Sequence, residues 1–293
     1  MVSDFDRISG KTKLIGLLGT PIAHSLSPRM HNLSFKELGL DYNYLAFDVD
    51  NEQLPDVIKG MRALHVRGFN VTMPNKTKIL PLLDELSEEA RLTGAVNTVV
   101  NNNGKLKGYT TDGIGYMCSL REENVDIIGK KMTLIGAGGA ATAIAVQAAM
   151  EGVAEIAIFN SKDCFLQRAQ KNVDIINNKM KDKKCKAKFY DLDDVESLQR
   201  EIATSAVFTD ASPMGMHPLE DKSVITDAGM LRSDLVVFDV VYIPRKTKLL
   251  KLAESQGCKT INGLGMMLWQ GAKSFEIWTG QKMPIDLVKK DLF

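Results

Sequence analysis

The sequence predicts an α/β fold: an N-terminal α/β domain followed by a doubly wound domain with a parallel sheet. Three observations predict it. Short apolar runs alternate with helix-period patterns through the first third. Repeated β-α units follow Gly129. Between them, Met132–Ala145 reads MTLIGAGGAATAIA, an apolar run, a glycine-rich turn and then a run of good helix formers. Strands separated by helices imply a parallel sheet covered on both faces.

The elements follow in order. Leu14–Leu18 reads as a buried strand, Ser27-Pro28 as an N-cap with proline at the first helical position, and Gly39 as the helix stop. Asn43–Val49 alternates, with Leu45, Phe47 and Val49 expected on one face, and Leu54, Val57, Ile58, Met61 and Leu64 recur at helical spacing. Gly68–Met73 is a second strand ended by Pro74. Ala95–Val100 and Lys105–Tyr109 flank Asn101-Asn102-Asn103-Gly104 and predict a hairpin. Met132–Ile135, Glu155–Asn160, Ala187–Tyr190, Val207–Thr209 and Leu235–Val240 are the strands of the second block. Gly265–Gly280 reads as a helix that returns to the first block. The lysines at 179, 181, 183, 184, 186 and 188 read as a solvated helix end and loop.

The bulk numbers exclude several classes. Among 293 residues, 44% are hydrophobic, enough for a packed core, and 37 basic against 36 acidic residues give no case for nucleic acid or an anionic membrane as partner. No apolar stretch long enough for a membrane span and no secretory signal is expected, and the four separated cysteines suggest reduced thiols in a cytosolic protein. His24 and His31 read as packing or capping residues; no metal site is expected.

Gly136, Ala137, Gly138, Gly139 and Ala140 then form a candidate dinucleotide seat. The first glycine permits the turn, the second lets a pyrophosphate approach the backbone, and Ala141 allows close helix–strand packing. Helix N–H groups and dipole favour the anion. Glycines alone also serve ordinary turns; the strand before and the helix after are what point to a ligand. The next strand ends at Asn160-Ser161-Lys162-Asp163, near the expected ribose. Asp163 would repel a 2′-phosphate and Lys162 would attract it, and the balance points to NAD, with NADP the alternative.

Polar residues also cluster around predicted strand ends: Ser25 and Ser27, Asn70, Thr72 and Lys76, Asn97 with Thr98, and Thr111 with Asp112. Strand carboxyl ends are where open α/β sheets bind ligands, and this set suits a polyhydroxylated acid. Lys76 is a candidate base for an alcohol proton, with Asp112 as its partner.

With these motifs assembled, the chain resembles the shikimate dehydrogenase family, most closely its NAD-using quinate/shikimate branch. The resemblance rests on the segments 19–28 (GTPIAHSLSP), 68–76 (GFNVTMPNK), 94–98 (GAVNT), 111–113 (TDG), 136–140 (GAGGA) and 263–266 (GLGM) ahead of Gln270, and covers nearly the whole chain. It implies that Ser25 and Ser27 hold a carboxylate. Asn70, Thr72, Asn97, Thr111 and Gln270 would bond ring hydroxyls, and Lys76 and Asp112 would be catalytic. Tyr242, Val240 and Gly263 would lie near the substrate and the nicotinamide. It implies a substrate-binding domain at 1–112, with 265–293 packing back on it, and a Rossmann-like dinucleotide domain at 113–264, the first closing over the second. Thr110 stands where many relatives carry Asn, and Ser161 where NADP-preferring relatives carry Arg.

The expected activity is hydride transfer between C3 of shikimate or quinate and NAD. The alternatives are an NADP-dependent biosynthetic enzyme of the same family and a sensor that binds nucleotide and metabolite without turnover. A cytoplasmic protein is expected, and a homodimer is compatible with the near-neutral charge.

Overall fold

A computed structural model describes residues 8–162 and 166–292. Asp163, one of the residues expected at the ribose, and Cys164 lie outside the described residues. The chain divides into two compact units, residues 1–111 with 270–293, and residues 112–269.

The first unit holds a six-stranded sheet: β1 (Lys13–Gly19), β2 (Tyr42–Asp48), β3 (Gly68–Val71), β4 (Glu85–Leu86), β5 (Thr98–Asn102) and β6 (Lys105–Tyr109), in the order β2-β1-β3-β5-β6-β4. β1 pairs parallel with β2 and β3, whereas β5 runs antiparallel to β3 and β6. The β5–β6 hairpin turns at Asn103 and Gly104, with φ of 53° and 91°. Both angles suit an Asn-Gly turn, because these residues tolerate positive φ best. Helix α1 (Ser27–Glu37) stops at Gly39, φ 62°. Its N-cap is Leu26 rather than Ser27, and no side chain caps it. Ser27 is instead the first helical residue, so its hydroxyl is released for another partner.

The reading of β2 needs a second correction. Val49 is buried and Phe47 packs on the core formed with helix α2 (Leu54–Ala63), but Leu45 is 46% exposed and the opposite-facing Tyr44 is fully buried. The sheet is covered on both faces, so alternation on one face could not describe it. Tyr44 joins His31, Phe35, Phe275 and Trp278 in an aromatic layer; His31 stacks on Tyr44 at 4.6 Å between centroids. Phe275 and Trp278 come from α9 (Leu264–Thr279), and the Trp278 indole N–H donates to Val99 O at 2.9 Å. The return of the chain's last segment to the first sheet thus rests on buried aromatic area and one satisfied indole.

The second unit is a parallel sheet of β7 (Lys131–Ile135), β8 (Glu155–Asn160), β9 (Lys186–Asp191), β10 (Val207–Asp210), β11 (Val236–Asp239) and β12 (Lys259–Ile261), in the order β12-β11-β10-β7-β8-β9. Counted from β7, this is the doubly wound Rossmann order 3-2-1-4-5-6, which opens a crevice beyond the carboxyl ends of β7 and β10. The short β12 escaped the sequence reading because Lys-Thr-Ile is too brief to show a period. Helices α5 (Gly139–Glu151) and α7 (Val195–Ala203) are joined by α4 (Asp112–Glu122) and α8 (Lys248–Ser255) around the sheet. Among the described residues no helix is long and apolar enough to cross a membrane, and Cys118, Cys185 and Cys258 are free thiols.

Two aspartates are buried where the strands end. Asp210 and Asp239 are register partners on β10 and β11, and are 1% and 0% exposed. Asp239 accepts from the Thr247 hydroxyl at 2.6 Å and from Val241 N–H at 2.9 Å. Asp210 Oδ1 accepts from Ser212 N–H at 2.8 Å, but its Oδ2 has no hydrogen-bond partner. Burial first, then the Asp239 carboxylate, pushes the Asp210 carboxyl up to about 7; burial pushes Asp239 up to about 6. A carboxyl held neutral in the folded state contributes fully below its unfolded value, and that contribution is lost as pH rises through the folded one. Asp210→Asn keeps the bond from Ser212 and carries no charge. It should therefore stabilise the protein at pH 8 by about 2 kcal/mol, with the gain vanishing near pH 4. Urea unfolding of both proteins at the two pH values checks this; an equal difference at both would contradict it.

Candidate active site

The polar residues singled out in the first unit lie at strand ends. Asn70 is the next-to-last residue of β3, Asn97 precedes β5, Thr111 follows β6, and Gln270 and Ser274 stand one turn apart on α9. They form one network. Asn97 Nδ2 donates to Thr111 Oγ1 at 2.9 Å and Gln270 Oε1 at 3.3 Å, while Asn97 Oδ1 accepts from Thr111 N–H at 2.9 Å. Asn70 Nδ2 donates to Asn97 O at 2.9 Å and Thr98 Oγ1 at 3.0 Å. Ser274 Oγ lies 2.7 Å from Thr98 Oγ1 and 3.3 Å from Thr111 Oγ1. Asn70, Asn97, Thr98, Thr111 and Ser274 are all buried. Each amide is oriented by more than one partner, which fixes which face presents oxygen and which nitrogen.

Thr72 and Lys76 sit in the turn after β3. Thr72 N–H donates to Leu18 O at 2.9 Å, Asn75 N–H donates to Thr72 O at 2.9 Å, and Lys76 O accepts from Val96 N–H at 2.8 Å. The backbone on either side of Lys76 is therefore pinned, and its side chain is half-buried. Ser25 Oγ accepts from Ser27 N–H at 3.3 Å, bringing both serines to the start of α1.

Thr98 belongs to the polar Asn97-Thr98 pair legible in the sequence, whereas Ser274 and Tyr44 are not expected from it. Ser274 had a readable signal, since it lies four residues after Gln270 on a helix and so shares its face. Tyr44 had none. Its hydroxyl donates to Asn70 Oδ1 at 2.7 Å and takes a hydrogen bond from Ser27, joining two residues of the candidate site. Burial raises the phenol far above its ordinary value, so it stays a neutral donor. His31, stacked against it, is fully buried with no hydrogen-bond partner on either ring nitrogen; burial drives it down to about 3, so it packs as a neutral ring.

In the second unit, Gly136 has φ 101°, and a Cβ there would lie 3.0 Å from Ala211 O, so the turn itself demands glycine. Gly138 and Gly139 differ, since a Cβ on either would stand in open space. The protein leaves the room above these backbones unfilled, and α5 begins there with no side-chain cap. Uncapped N–H groups, a helix dipole and free approach fit a pyrophosphate. Ala137 is buried behind the turn, and Ala140 lies in the first turn of α5. Gly263 is required by its neighbour: a Cβ would overlap Val240 O, and its N–H donates to Val241 O at 3.2 Å. Val240 and Gly263 are thus held side by side, next to half-buried Tyr242. At the far end, Asn160 is buried, its Nδ2 donating to Ser161 O at 2.6 Å, and Lys162 is exposed. Asp112, buried, is the first residue of the second unit and follows Thr111 directly in the chain.

The bond from Tyr44 to Asn70 gives a direct test. Tyr44→Phe leaves a buried amide oxygen and the Ser27 hydroxyl without this partner. The expected cost is about 1–3 kcal/mol in urea unfolding; a loss well under that range would mean that water or another donor replaces the phenol.

Comparison with known proteins fits this geometry. Residues 17–99 match the shikimate dehydrogenase substrate binding domain, and residues 263–293 match the shikimate 5′-dehydrogenase C-terminal domain. The shikimate dehydrogenase (NADP(+)) of Listeria monocytogenes serotype 4b is 59% identical over 288 residues, covering 98% of both chains. A crystal structure of shikimate 5-dehydrogenase from Listeria monocytogenes in complex with shikimate and NAD superposes with a TM-score of 0.95, at 59% identity and 98% coverage of each chain. Quinate dehydrogenase from Corynebacterium glutamicum in complex with NAD is more distant, at 31% identity and TM-score 0.84, covering 95% of this chain and 98% of that one. The chain belongs to the shikimate dehydrogenase family.

Proposed function

We propose that this protein oxidises the C3 hydroxyl of shikimate to the 3-dehydro form, and reduces it in reverse. The observation that carries the reading is the hydrogen-bonded set Asn70, Asn97, Thr111 and Gln270 with Lys76 on the adjoining pinned turn, in a chain 59% identical to relatives named shikimate dehydrogenase. Ser25 and Ser27 receive the ring carboxylate. Asn70, Thr72, Asn97, Thr111 and Gln270 bond the ring hydroxyls, and the internal network orients the Asn70, Asn97 and Thr111 side chains. Lys76, as the free amine, accepts the C3 hydroxyl proton; as the ammonium, it polarises the ketone in the reverse direction. Asp112 hydrogen-bonds both Lys76 and the substrate, holding the amine on the proton. A bound nicotinamide supplies the hydride acceptor. Gly136, Ala137, Gly138, Gly139 and Ala140 hold its pyrophosphate, and Asn160, Ser161 and Lys162 meet the adenosine ribose. Asp163 was expected to join them. Val240, Gly263 and Tyr242 border the nicotinamide end.

For the coenzyme, the names of the relatives favour NADP(H) over the NAD expected from sequence. One specific observation favours NAD: Ser161 stands where an arginine would meet a 2′-phosphate, and the neighbouring Lys162 is held by Asp191 at 2.7 Å. Quinate, which has an extra ring hydroxyl, is the second substrate reading; the family's quinate dehydrogenase is the more distant relative here.

Initial rates with both acids and both oxidised coenzymes test the reading. Shikimate with NADP+ should give the highest kcat/KM. Absence of nicotinamide reduction with either acid, in folded protein that binds them, would support the sensor instead. Lys76→Ala should lower kcat by about 100-fold or more, with shikimate affinity changing far less. Turnover near wild type would remove Lys76 from the chemistry.

A further inference from the structure

The corner where β8 and β9 end carries charges that the substrate reading does not use. Asn160 and Asp191 are register partners at the carboxyl ends of these strands, and Leu192 N–H donates to Asn160 O at 3.2 Å. In a sheet of this order, the end of the second strand faces the adenosine ribose. Here that position is Asn160, followed by Ser161 and Lys162. Lys162 Nζ reaches back across the strand ends to Asp191 Oδ2 at 2.7 Å. Asp191 Oδ1 accepts from Asp193 N–H at 3.2 Å, so its carboxylate is fixed from both sides. The Lys162 side chain is 73% exposed while that of Asp191 is 21% exposed, so the anchor is the more rigid partner.

We propose that Asp191 is a specificity-determining residue for the coenzyme, acting through Lys162. This rests on the nicotinamide-coenzyme reading above, not on which coenzyme prevails. Lys162 is the cation next to the ribose end of β8, and Asp191 already neutralises it. A 2′-phosphate carries close to two negative charges near neutral pH. It must draw Lys162 away from Asp191 and then lie beside the carboxylate left behind, with Asp193 nearby. A 2′-hydroxyl meets neither cost. Each charge here borders solvent, so the discrimination is of modest size and weakens with salt. Asp191 supports the 2′-hydroxyl form by detaining a lysine that would otherwise favour the phosphate.

The same corner explains why charge counting on residues 160–163 is ambiguous. Lys162 read alone argues for NADP. Read with its partner on the next strand, which is about thirty positions away in the chain, it does not.

The test uses nucleotide fragments, so its readout is binding rather than turnover. Calorimetric Kd values for adenosine 2′,5′-bisphosphate and adenosine 5′-monophosphate are measured on the full chain, on Asp191→Asn and on Asp191→Asn combined with Lys162→Ala. Asp191→Asn should tighten the bisphosphate by about three- to fivefold and change the monophosphate by less than about 1.5-fold, and the gain should shrink as ionic strength rises. Adding Lys162→Ala should abolish it. Asp191→Ser removes the same charge and guards against one variant failing to fold. A bisphosphate-to-monophosphate ratio unchanged from wild type would overturn the proposal. So would a gain that survives loss of Lys162, or no binding of either nucleotide at millimolar concentration. Shikimate oxidation measured on the same proteins reports on the functional reading separately: lost oxidation with the ratio shift intact would sink that reading alone.

Discussion

Buried polar groups must be paired, and in the first unit this constraint shapes the candidate site. Asn70, Asn97, Thr98, Thr111 and Ser274 are all removed from water, at the carboxyl ends of β3 and β6, at the amino end of the antiparallel β5, or on α9. Each unpaired atom would cost about 1–3 kcal/mol. The fold answers by bonding them to one another, so that three strand ends and one returning helix become a single hydrogen-bonded object. Orientation follows from satisfaction. Asn97 cannot flip its amide without losing the bond from Thr111 N–H and the bonds to Thr111 Oγ1 and Gln270. A ligand meeting this surface finds donors and acceptors already aimed, which is the preorganisation that a hydroxyl-rich ring needs.

The second unit meets a different need by leaving groups unpaired. The α5 N-terminus has no side-chain cap, and the space over Gly138 and Gly139 is open. The glycines of this turn separate into two physical kinds. Gly136 is required by its positive φ and by Ala211, whereas nothing in the protein requires glycine at 138 or 139. The open space over those two is what a pyrophosphate would need to approach the backbone, as the proposed coenzyme reading requires. Asp210 is the costly neighbour of this crevice: its carboxyl is kept neutral well above the ordinary range beside a second buried acid. Carboxyls perturbed in this way cluster at functional sites.

Much of this was legible in the sequence. Strand–turn–helix patterning locates the glycine turn between β7 and α5, the Asn-Gly hairpin is legible in its turn residues, and the polar residues at strand ends stand out in the sequence. What escaped has physical causes. Ser27 looked like a helix cap, but its hydroxyl bonds Tyr44, and that pairing joins α1 to β2 across the chain fold. Leu45, Phe47 and Val49 alternated convincingly, yet Tyr44 on the other face is the residue that matters, because helices cover both sides of the sheet. Asp191 carried no local signal, since its significance comes from register with Asn160 on a neighbouring strand. Periodicity reports burial along one element and is silent on which side chains two elements bring together.

The central claim is that a carbinol hydrogen of shikimate leaves as hydride while its hydroxyl proton passes to Lys76. Shikimate carrying deuterium at C3, incubated with the enzyme and an oxidised nicotinamide coenzyme, tests this directly by mass spectrometry of the reduced coenzyme. The account predicts that the deuterium is recovered on the nicotinamide ring, on one face only. Deuterium washed into solvent, or retained on the ring acid while the coenzyme is reduced, would contradict it.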